Sequence, residues 1–231
     1  MDNRRLLNYQ KNNTSQCGED GIIEEICNRL GIGTGFFVEF GAWDGIRFSN
    51  TYSLLAKNWQ GVYIEGDEQK YAALNNTRNR FPRQIISICA YVRCEEPNTL
   101  DNILAQTPTP EDFDLLSIDI DSYDWQVWYS LRNYHPTIVI IEGNSSVLPG
   151  IWQVHEEGVV KGASFTALVR LGEHKGYKLV CHTGNLIFVK KELVDQLNLD
   201  PVNVIFPETL FNYPKYFQEL EYQKRVAAKP V

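Results

Sequence analysis

Five short, predominantly apolar segments, separated by amphipathic stretches, are the feature that most constrains the fold of this chain. Each segment is rich in Val, Ile, Leu or Phe and lacks the polar alternation of a strand with one wet face. This pattern is typical of strands buried in a parallel sheet, with helical crossovers between them. The predicted strands are 36–40, 62–65, 85–90, 115–119 and 137–142, and the predicted helices are 15–30, 50–58, 68–80, 98–105 and 124–133.

The last third of the chain has a different pattern. An amphipathic helix is predicted over 162–175, followed by strands over 177–181 and 186–190. The connection between these strands contains Gly184 and Asn185, and a connection this short is typical of an antiparallel hairpin. The sequence therefore predicts an α/β, Rossmann-like fold with the layout of class I methyltransferases. It is a seven-stranded, mostly parallel sheet with a terminal antiparallel hairpin and helices on both faces.

A single domain accounts for the whole chain, because 231 residues are within the range that one hydrophobic core can organise. We divide it into an N-terminal helical segment (1–34), a Rossmann-like core (35–191) and a C-terminal helical extension (192–231). The extension is rich in aromatic residues, and a helix is predicted over 214–225. It is suited to pack on the domain, to act as a substrate lid or to form a contact in a homo-oligomer.

Composition and charge argue against several classes of partner. The formal net charge of −7 disfavours a general affinity for nucleic acid. No segment is long and apolar enough to span a membrane, and residues 1–10 lack the apolar core of a secretory signal, so we expect a cytoplasmic protein. The five cysteines include no C-x-x-C pair, and we expect reduced thiols.

The end of the first predicted strand carries a turn suited to approach a ligand closely. Gly41 and Gly45 allow a tight turn at the carboxyl end of the strand. Ser49 and Thr51 lie at the start of the next helical stretch, where amides and hydroxyls are suited to hold a carboxylate. Glu65 ends the second strand, and an acid about 20 residues beyond the glycine turn is placed to bind both hydroxyls of a ribose.

A dinucleotide such as NAD is the main alternative ligand for such a turn. Dinucleotide-binding folds use a G-x-G-x-x-G motif, whereas here Trp43 and Asp44 lie between the two glycines and no glycine triplet is present. A bulky tryptophan and an acid suit a pyrophosphate poorly. They suit S-adenosylmethionine (SAM), a sulfonium cation with an amino-acid tail, better. A structural turn that binds no ligand is the remaining interpretation.

Acidic and amide side chains follow the fourth and fifth predicted strands, whose ends are neighbours in a parallel sheet. Asp119, Asp121, Glu142 and Asn144 are therefore expected to converge. Their oxygens suit a hard cation such as Mg²⁺ or Mn²⁺, which lowers the pKa of a bound hydroxyl. Three alternatives remain. Asp121 or Ser122 caps the next helix, Asp119 contacts the cofactor or acts as a base without metal, or Asp119 and Asp121 form the D-x-D motif of a glycosyltransferase.

Methyl transfer to oxygen requires a group that accepts the hydroxyl proton. Asp119 and Asp121 are the acidic candidates. His155 lies in an expected loop beyond the fifth strand, where acceptor contacts are expected, and His182 lies in the hairpin; a lone histidine is more often structural or exposed. Three aromatic residues are suited either to stack on a sugar or to pack in the core: Tyr123, Trp125 and Trp152.

Several motifs occur together over most of the chain, from residue 15 to residue 190. They include Ser15-Gln-Cys-Gly-Glu-Asp-Gly21, Glu39-Phe-Gly-Ala-Trp-Asp-Gly45 with Ser49-Asn-Thr51, and less specific segments at 116–121, 140–144 and 162–168. In this combination the sequence resembles the FkbM-type methyltransferases, which are class I SAM-dependent enzymes that often O-methylate sugars or natural products. The motif after strand four differs, since the pattern Asp-x-Glu-Gly-x-Glu is replaced here by Asp119-Ile-Asp-Ser-Tyr-Asp124.

The resemblance implies roles for individual residues. It places Glu39, Gly41 and Asp44 around the methionine part of SAM, and Glu65 at the ribose. With the residues of the glycine turn and of the flanking segments, the predicted cofactor contacts are Gln16, Glu39, Gly41, Asp44, Gly45, Ser49, Thr51, Glu65 and Asp119.

The sequence thus predicts a SAM-dependent O-methyltransferase, with Asp119, Asp121 and His155 as catalytic residues and Asp119, Asp121, Glu142 and Asn144 as ligands if a metal takes part. The resemblance implies a small-molecule or glycan acceptor, namely a sugar hydroxyl of a glycan or of a nucleotide-linked sugar. The alternatives are a metal-dependent glycosyltransferase and a catalytically inactive methyltransferase-like binding domain.

Overall fold

The computed structural model describes residues 4–227, and all seven predicted strands are present within that range. They are β1 (Phe36–Phe40), β2 (Gln60–Glu65), β3 (Ile85–Cys89), β4 (Leu115–Ile118), β5 (Ile138–Glu142), β6 (Tyr177–His182) and β7 (Asn185–Lys190). They form one sheet in the order β3-β2-β1-β4-β5-β7-β6. Strands β1 to β5 pair in parallel, and β7 pairs antiparallel with β5 and β6. The predicted sheet with its terminal hairpin is confirmed.

Both faces of the sheet are buried, as strands that are apolar throughout require. Val38 and Phe40 belong to one apolar cluster, and Phe37, which lies between them on β1, belongs to the other. The same alternation separates Val62 from Tyr63 on β2. Because the strands contribute their apolar side chains to these two clusters, polar groups that face a ligand are left to the loops and strand ends.

Within residues 4–227, seven α-helices and four 3₁₀ helices connect or flank the strands. The α-helices are α1 (Glu19–Leu30), α2 (Glu68–Arg80), α3 (Leu100–Leu104), α4 (Asp124–Ser130), α5 (Phe165–His174), α6 (Pro201–Ile205) and α7 (Tyr213–Ala227). The 3₁₀ helices are Leu6–Tyr9, Tyr52–Lys57, Lys191–Leu197 and Pro207–Leu210.

Two of the predicted helices differ from the observed ones for a physical reason. The helix predicted over 15–30 begins only at Glu19, because the residues before it fold around the carboxylate of Asp20. That carboxylate accepts the backbone N–H groups of Thr14 at 2.9 Å and Ser15 at 2.8 Å. The helix predicted over 50–58 is a 3₁₀ helix, and the residues just before it are bound to a buried carboxylate that is described below.

The C-terminal extension is anchored by one aromatic residue. Phe211 is buried, and its ring centroid lies 5.3 Å from that of Phe165 and 5.2 Å from that of His182. The predicted helix over 214–225 is confirmed as α7, and its role as a lid or an oligomer contact stays a prediction. Residues 1–3 and 228–231 of the predicted terminal segments lie outside the described residues.

Among residues 4–227, none of the helices has the length and apolar character needed to cross a membrane. All five cysteines lie in this range, and each is a free thiol.

Candidate cofactor site

The turn that follows β1 needs glycine at two positions. Gly41 has a φ of +74°, and a β-carbon there would overlap the carbonyl oxygen of Asp119, which directly follows β4. Gly45 has a φ of +72°, and a β-carbon there would press on Leu74 of α2. Residues with side chains rarely adopt this backbone region, and neither position has room for one. The turn is therefore held tightly against the end of β4 and against α2.

Two aromatic residues of the same turn also have a left-handed backbone. Trp43 has a φ of +49° and Phe48 a φ of +61°, although this costs a residue with a side chain about 1–2 kcal/mol. Hydrogen bonds hold the turn in place. The N–H of Trp43 donates to Glu65 Oε2 at 2.8 Å, and Asp44 Oδ1 accepts two backbone N–H groups, one of them from Arg47 at 2.7 Å. Backbone strain of this kind is concentrated at functional sites.

Glu39 is buried beneath this turn and holds the loop that follows it. Its Oε2 accepts the hydroxyl of Ser49 at 2.8 Å and the hydroxyl of Thr51, and its Oε1 accepts the N–H of Asn50 at 3.3 Å. Burial raises the pKa of Glu39 to about 7, although these hydrogen bonds favour the ionised form. Ser49 and Thr51 are themselves buried, so their hydroxyls position the loop through Glu39.

Glu65 ends β2, and its carboxylate is held from both sides. Oε2 accepts the N–H of Trp43, and Oε1 accepts the N–H of Asp67 at 2.9 Å. A carboxylate oxygen can accept a second hydrogen bond, so Glu65 has acceptor capacity left for the hydroxyl groups of a ligand. This arrangement is compatible with the predicted contact to a ribose.

A cavity of about 770 Å³ lies at the carboxyl ends of the parallel strands. Its volume is within the range of about 300–1,000 Å³ that is typical of small-molecule sites, and open α/β sheets bind their ligands at this edge. The predicted cofactor contacts that line it are Gln16, Glu39, Gly41, Glu65 and Asp119. The other four do not line it and lie in the turn or loop behind it: Asp44, Gly45, Ser49 and Thr51.

One wall of the cavity, formed by α2 and by the segment after β3, contains residues that were not among the predicted cofactor contacts. Lys70 lies in the first turn of α2, and Tyr91 and Arg93 follow β3; all three line the cavity. The ring of Tyr91 lies against Gly66, where a β-carbon would overlap it. Ligands bind outside the carboxyl ends of several parallel strands, so the end of the third predicted strand carried a signal that would have identified Tyr91.

Two carboxyl groups in the same cavity have no hydrogen-bond partner among residues 4–227. Asp119 follows β4, and Glu142 ends β5. Burial, followed by the charge of Glu142, raises the pKa of Asp119 well above its ordinary value. Burial, followed by the charge of Asp124, raises the pKa of Glu142 to about 7. A carboxyl group with a raised pKa is a stronger base than an ordinary carboxylate once it is ionised, which suits the role of a general base.

The structure does not support the predicted metal site. Asn144 Oδ1 accepts the N–H and the hydroxyl of a serine in its own loop, at 3.0 and 2.5 Å. Asp121 is exposed and pairs with Lys161, whose Nζ lies 3.2 Å from Oδ1. In the described part of the chain, no three His, Cys, Asp or Glu side chains are placed to hold a metal ion. The geometry therefore does not favour a metal at Asp119, Asp121, Glu142 and Asn144, or the D-x-D interpretation.

Asp124 explains why the acids after β4 separate. Its carboxylate is buried and accepts the N–H of Ile120 at 2.8 Å and the N–H of Ser122 at 2.9 Å. These bonds close a loop in which Asp121 has a φ of +61°. Asp124, rather than Asp121 or Ser122, thus binds the backbone amides next to α4. The other acids are left in distinct environments, with Asp119 buried in the cavity wall and Asp121 exposed at the edge of the same cavity.

Neither predicted histidine lines the cavity. His155 Nδ1 accepts the N–H of Gly162 at 3.3 Å, and its ring packs behind Tyr123 with centroids 4.4 Å apart. His182 is buried and its Nδ1 accepts the N–H of Asn212 at 3.0 Å. Burial lowers the pKa of His182 to about 3, which makes it a neutral core residue. The geometry favours the carboxyl groups over both histidines as the base.

No protein-family model matches the sequence, and no curated protein matches it. Solved structures do resemble the fold. The CurJ carbon methyltransferase has a TM-score of 0.50 at 10% identity, over 74% of this chain and 52% of that chain. A SAM-dependent methyltransferase from Clostridium acetobutylicum has a TM-score of 0.46 at 9% identity, over 74% and 89%. The N-terminal domain of EvdMO1 with S-adenosylhomocysteine (SAH) bound has a TM-score of 0.47 at 12% identity, over 76% of this chain and 80% of that chain.

At these identities the likeness concerns the fold alone, and it agrees with the strand order and the antiparallel hairpin described above. The chain therefore has the Rossmann-like fold of class I methyltransferases.

Proposed function

We propose that this chain is a SAM-dependent O-methyltransferase that acts on a sugar hydroxyl. The observation that supports this proposal is the set of carboxyl groups that line one cavity. Glu65 at the end of β2, and the unpartnered carboxyl groups of Asp119 and Glu142 at the ends of β4 and β5, line the same space. A nucleoside bound at Glu65 and a hydroxyl group bound at Asp119 would share that space. Because a fold does not set an activity, the proposal depends on this pairing of groups.

The residues present fit SAM. Glu65 retains acceptors for the ribose hydroxyls, and Gly41 offers backbone to the cavity without a side chain. The carboxyl groups of Asp119 and Glu142 make the β4–β5 side of the cavity acidic, which suits a positively charged sulfonium. When bound, the cofactor supplies an electrophilic methyl group on its sulfur.

Asp119 is the residue to which we assign the acceptor proton. Its carboxylate would accept the proton of the acceptor hydroxyl, to which a bound cofactor would supply its methyl group and leave as the uncharged thioether S-adenosylhomocysteine. Burial, followed by the charge of Glu142, raises the pKa of Asp119, so the ionised Asp119 is a stronger base than a carboxylate in water. Asp121 receives no proton-transfer role in this proposal, because its carboxylate is exposed and paired with Lys161.

Two features support a sugar as the acceptor. The resemblance to FkbM-type enzymes implies sugars or natural products. Tyr123 lines the cavity and its ring is partly exposed, as a ring that stacks on a sugar must be. A glycan or a nucleotide-linked sugar is the acceptor that we propose.

Transfer of a labelled methyl group from SAM to a panel of free and nucleotide-linked sugars tests this function. Asp119→Asn keeps the shape of the side chain and removes the base, so we expect kcat to fall about a hundredfold or more. Asp112→Asn is the matched control, because Asp112 is exposed, pairs with Lys190 and lies outside the cavity. An unchanged kcat in Asp119→Asn contradicts the base assignment. Binding of S-adenosylhomocysteine (SAH) without transfer to any acceptor contradicts the activity and indicates an inactive binding domain.

A further inference from the structure

The cavity contains cations as well as carboxyl groups. Asp119 and Glu142 lie at the ends of β4 and β5, and Arg47 and Lys70 line the cavity beside β1 and β2, on the side where Glu65 also lies. The guanidinium carbon of Arg47 is 4.9 Å from the ring centroid of Trp43, and the Nζ of Lys70 is 5.1 Å from the same centroid. Two positive charges therefore lie against one tryptophan ring at the cavity wall.

Neither cation has a counter-charge in the described structure. Among residues 4–227, neither Arg47 nor Lys70 has a carboxylate within ion-pair distance, and their side-chain N–H groups donate no hydrogen bond. Other lysines are paired, for example Lys161 with Asp121. Two like charges beside one ring repel each other, and an anion that contacts both offsets that repulsion.

Two aromatic residues hold Arg47 at the cavity wall. Its guanidinium carbon is 4.9 Å from the ring centroid of Phe48 as well as from that of Trp43, and the two rings meet edge to face. The N–H donors of Arg47 make no hydrogen bond within residues 4–227, so they are available to a ligand. Trp43 and Phe48, which carry these rings, both have a left-handed backbone.

We propose that Arg47 and Lys70 bind a phosphoryl group of the methyl acceptor, so that the acceptor is a small phosphorylated molecule such as a sugar phosphate or a nucleotide-linked sugar. This inference rests on the proposed function. An arginine fork and a lysine point charge match the oxygens and the charge of a phosphoryl group. The net charge of −7 disfavours a polyanion such as RNA as the acceptor.

Calorimetry with inorganic pyrophosphate in one arm and SAH in the other tests this site. The variant is Arg47→Met/Lys70→Met. The control, Arg78→Met/Lys57→Met, removes the same charges from exposed positions outside the cavity. We expect the protein to bind pyrophosphate, and the variant to lose roughly tenfold or more of that affinity. The affinity of the variant for SAH should change by less than about twofold, and the control should keep both affinities.

Several results would overturn the inference. These are no pyrophosphate binding by the unmodified protein, an equal loss in the control, or tighter binding of a single-stranded oligonucleotide than of pyrophosphate. A matching loss of SAH affinity in the variant would assign Arg47 and Lys70 to the carboxylate of the cofactor instead. If pyrophosphate binds at these cations but SAH does not bind at all, the phosphoryl site stands and the proposed methyltransferase function fails.

Discussion

Replacement of Glu39 by glutamine tests how its buried carboxyl group links stability to pH. Burial raises its pKa from 4.5 in the unfolded chain to about 7 in the folded protein. Between these values the folded state binds more protons than the unfolded state. The free energy of unfolding therefore falls as the pH rises through this window. The unfavourable contribution is absent below the lower pKa and complete above the upper one.

The size of the effect follows from the shift. One pKa unit corresponds to about 1.4 kcal/mol, so ionised Glu39 destabilises the folded protein by about 3 kcal/mol above neutral pH. Glutamine has the same shape and does not titrate, and its carbonyl oxygen can still accept the hydroxyls of Ser49 and Thr51. The stability of Glu39→Gln relative to the unmodified protein should therefore increase by about 3 kcal/mol from pH 4.5 to pH 8.

Urea unfolding of both proteins at the two pH values, followed by tryptophan fluorescence, measures this difference. Glu111→Gln serves as the control because Glu111 is exposed. Any pH-independent loss of hydrogen bonds in the variant cancels when the two pH values are compared. A stability difference that stays constant with pH would contradict the raised pKa of Glu39, because Glu39 would then ionise in the folded protein as it does in the unfolded chain. A difference that shrinks as the pH rises would show that the hydrogen bonds outweigh burial.

Two further predictions concern the turn and the hairpin. Gly41→Ala should destabilise the protein by about 2 kcal/mol or more in chemical denaturation, because it combines a left-handed φ with overlap of the Asp119 carbonyl. Gly33→Ala, where a β-carbon meets nothing within 4 Å, should change stability by less than about 1 kcal/mol, and equal losses would contradict the steric argument. The imidazole NMR signals of His182 should not titrate from pH 8 to about pH 5, because burial lowers its pKa to about 3. Because the unfolded chain binds this proton more readily, stability should fall as the pH drops below 6.5, and a titration of these signals near that value would contradict the buried, neutral assignment.

The sheet was predictable because burial on both faces leaves a direct mark on the sequence. The parallel strands are predominantly apolar, and the short connection at Gly184 is typical of a hairpin. The start of α1 was not predictable from periodicity. It depends on the Asp20 carboxylate, which takes up the backbone amides of Thr14 and Ser15 before the helix begins.

Residues of the candidate site were predictable where their position at a strand end places them in the cavity. They were not predictable where the direction of the side chain decides what it contacts. Gly41 and Glu65 were identified because the ends of parallel strands share one edge of the sheet. Asp121 and Asn144 have the residue types of a metal site, but local bonds turn them toward Lys161 and toward a neighbouring serine. Arg47 and Lys70 both lie against the ring of Trp43, although Arg47 belongs to the turn after β1 and Lys70 belongs to α2. No local sequence pattern reveals a contact between two separate elements.

Calorimetric titration of the unmodified protein and of Glu65→Ala with SAH tests whether this cavity is the cofactor site. We expect the unmodified protein to bind SAH. We expect Glu65→Ala to weaken SAH binding by roughly tenfold or more, because the ribose hydroxyls lose a charged acceptor. Glu111→Ala, at an exposed position outside the cavity, should bind as the unmodified protein does. Absence of SAH binding by the folded protein, or an unchanged affinity in a folded Glu65→Ala variant, would contradict the claim that this cavity is the cofactor site.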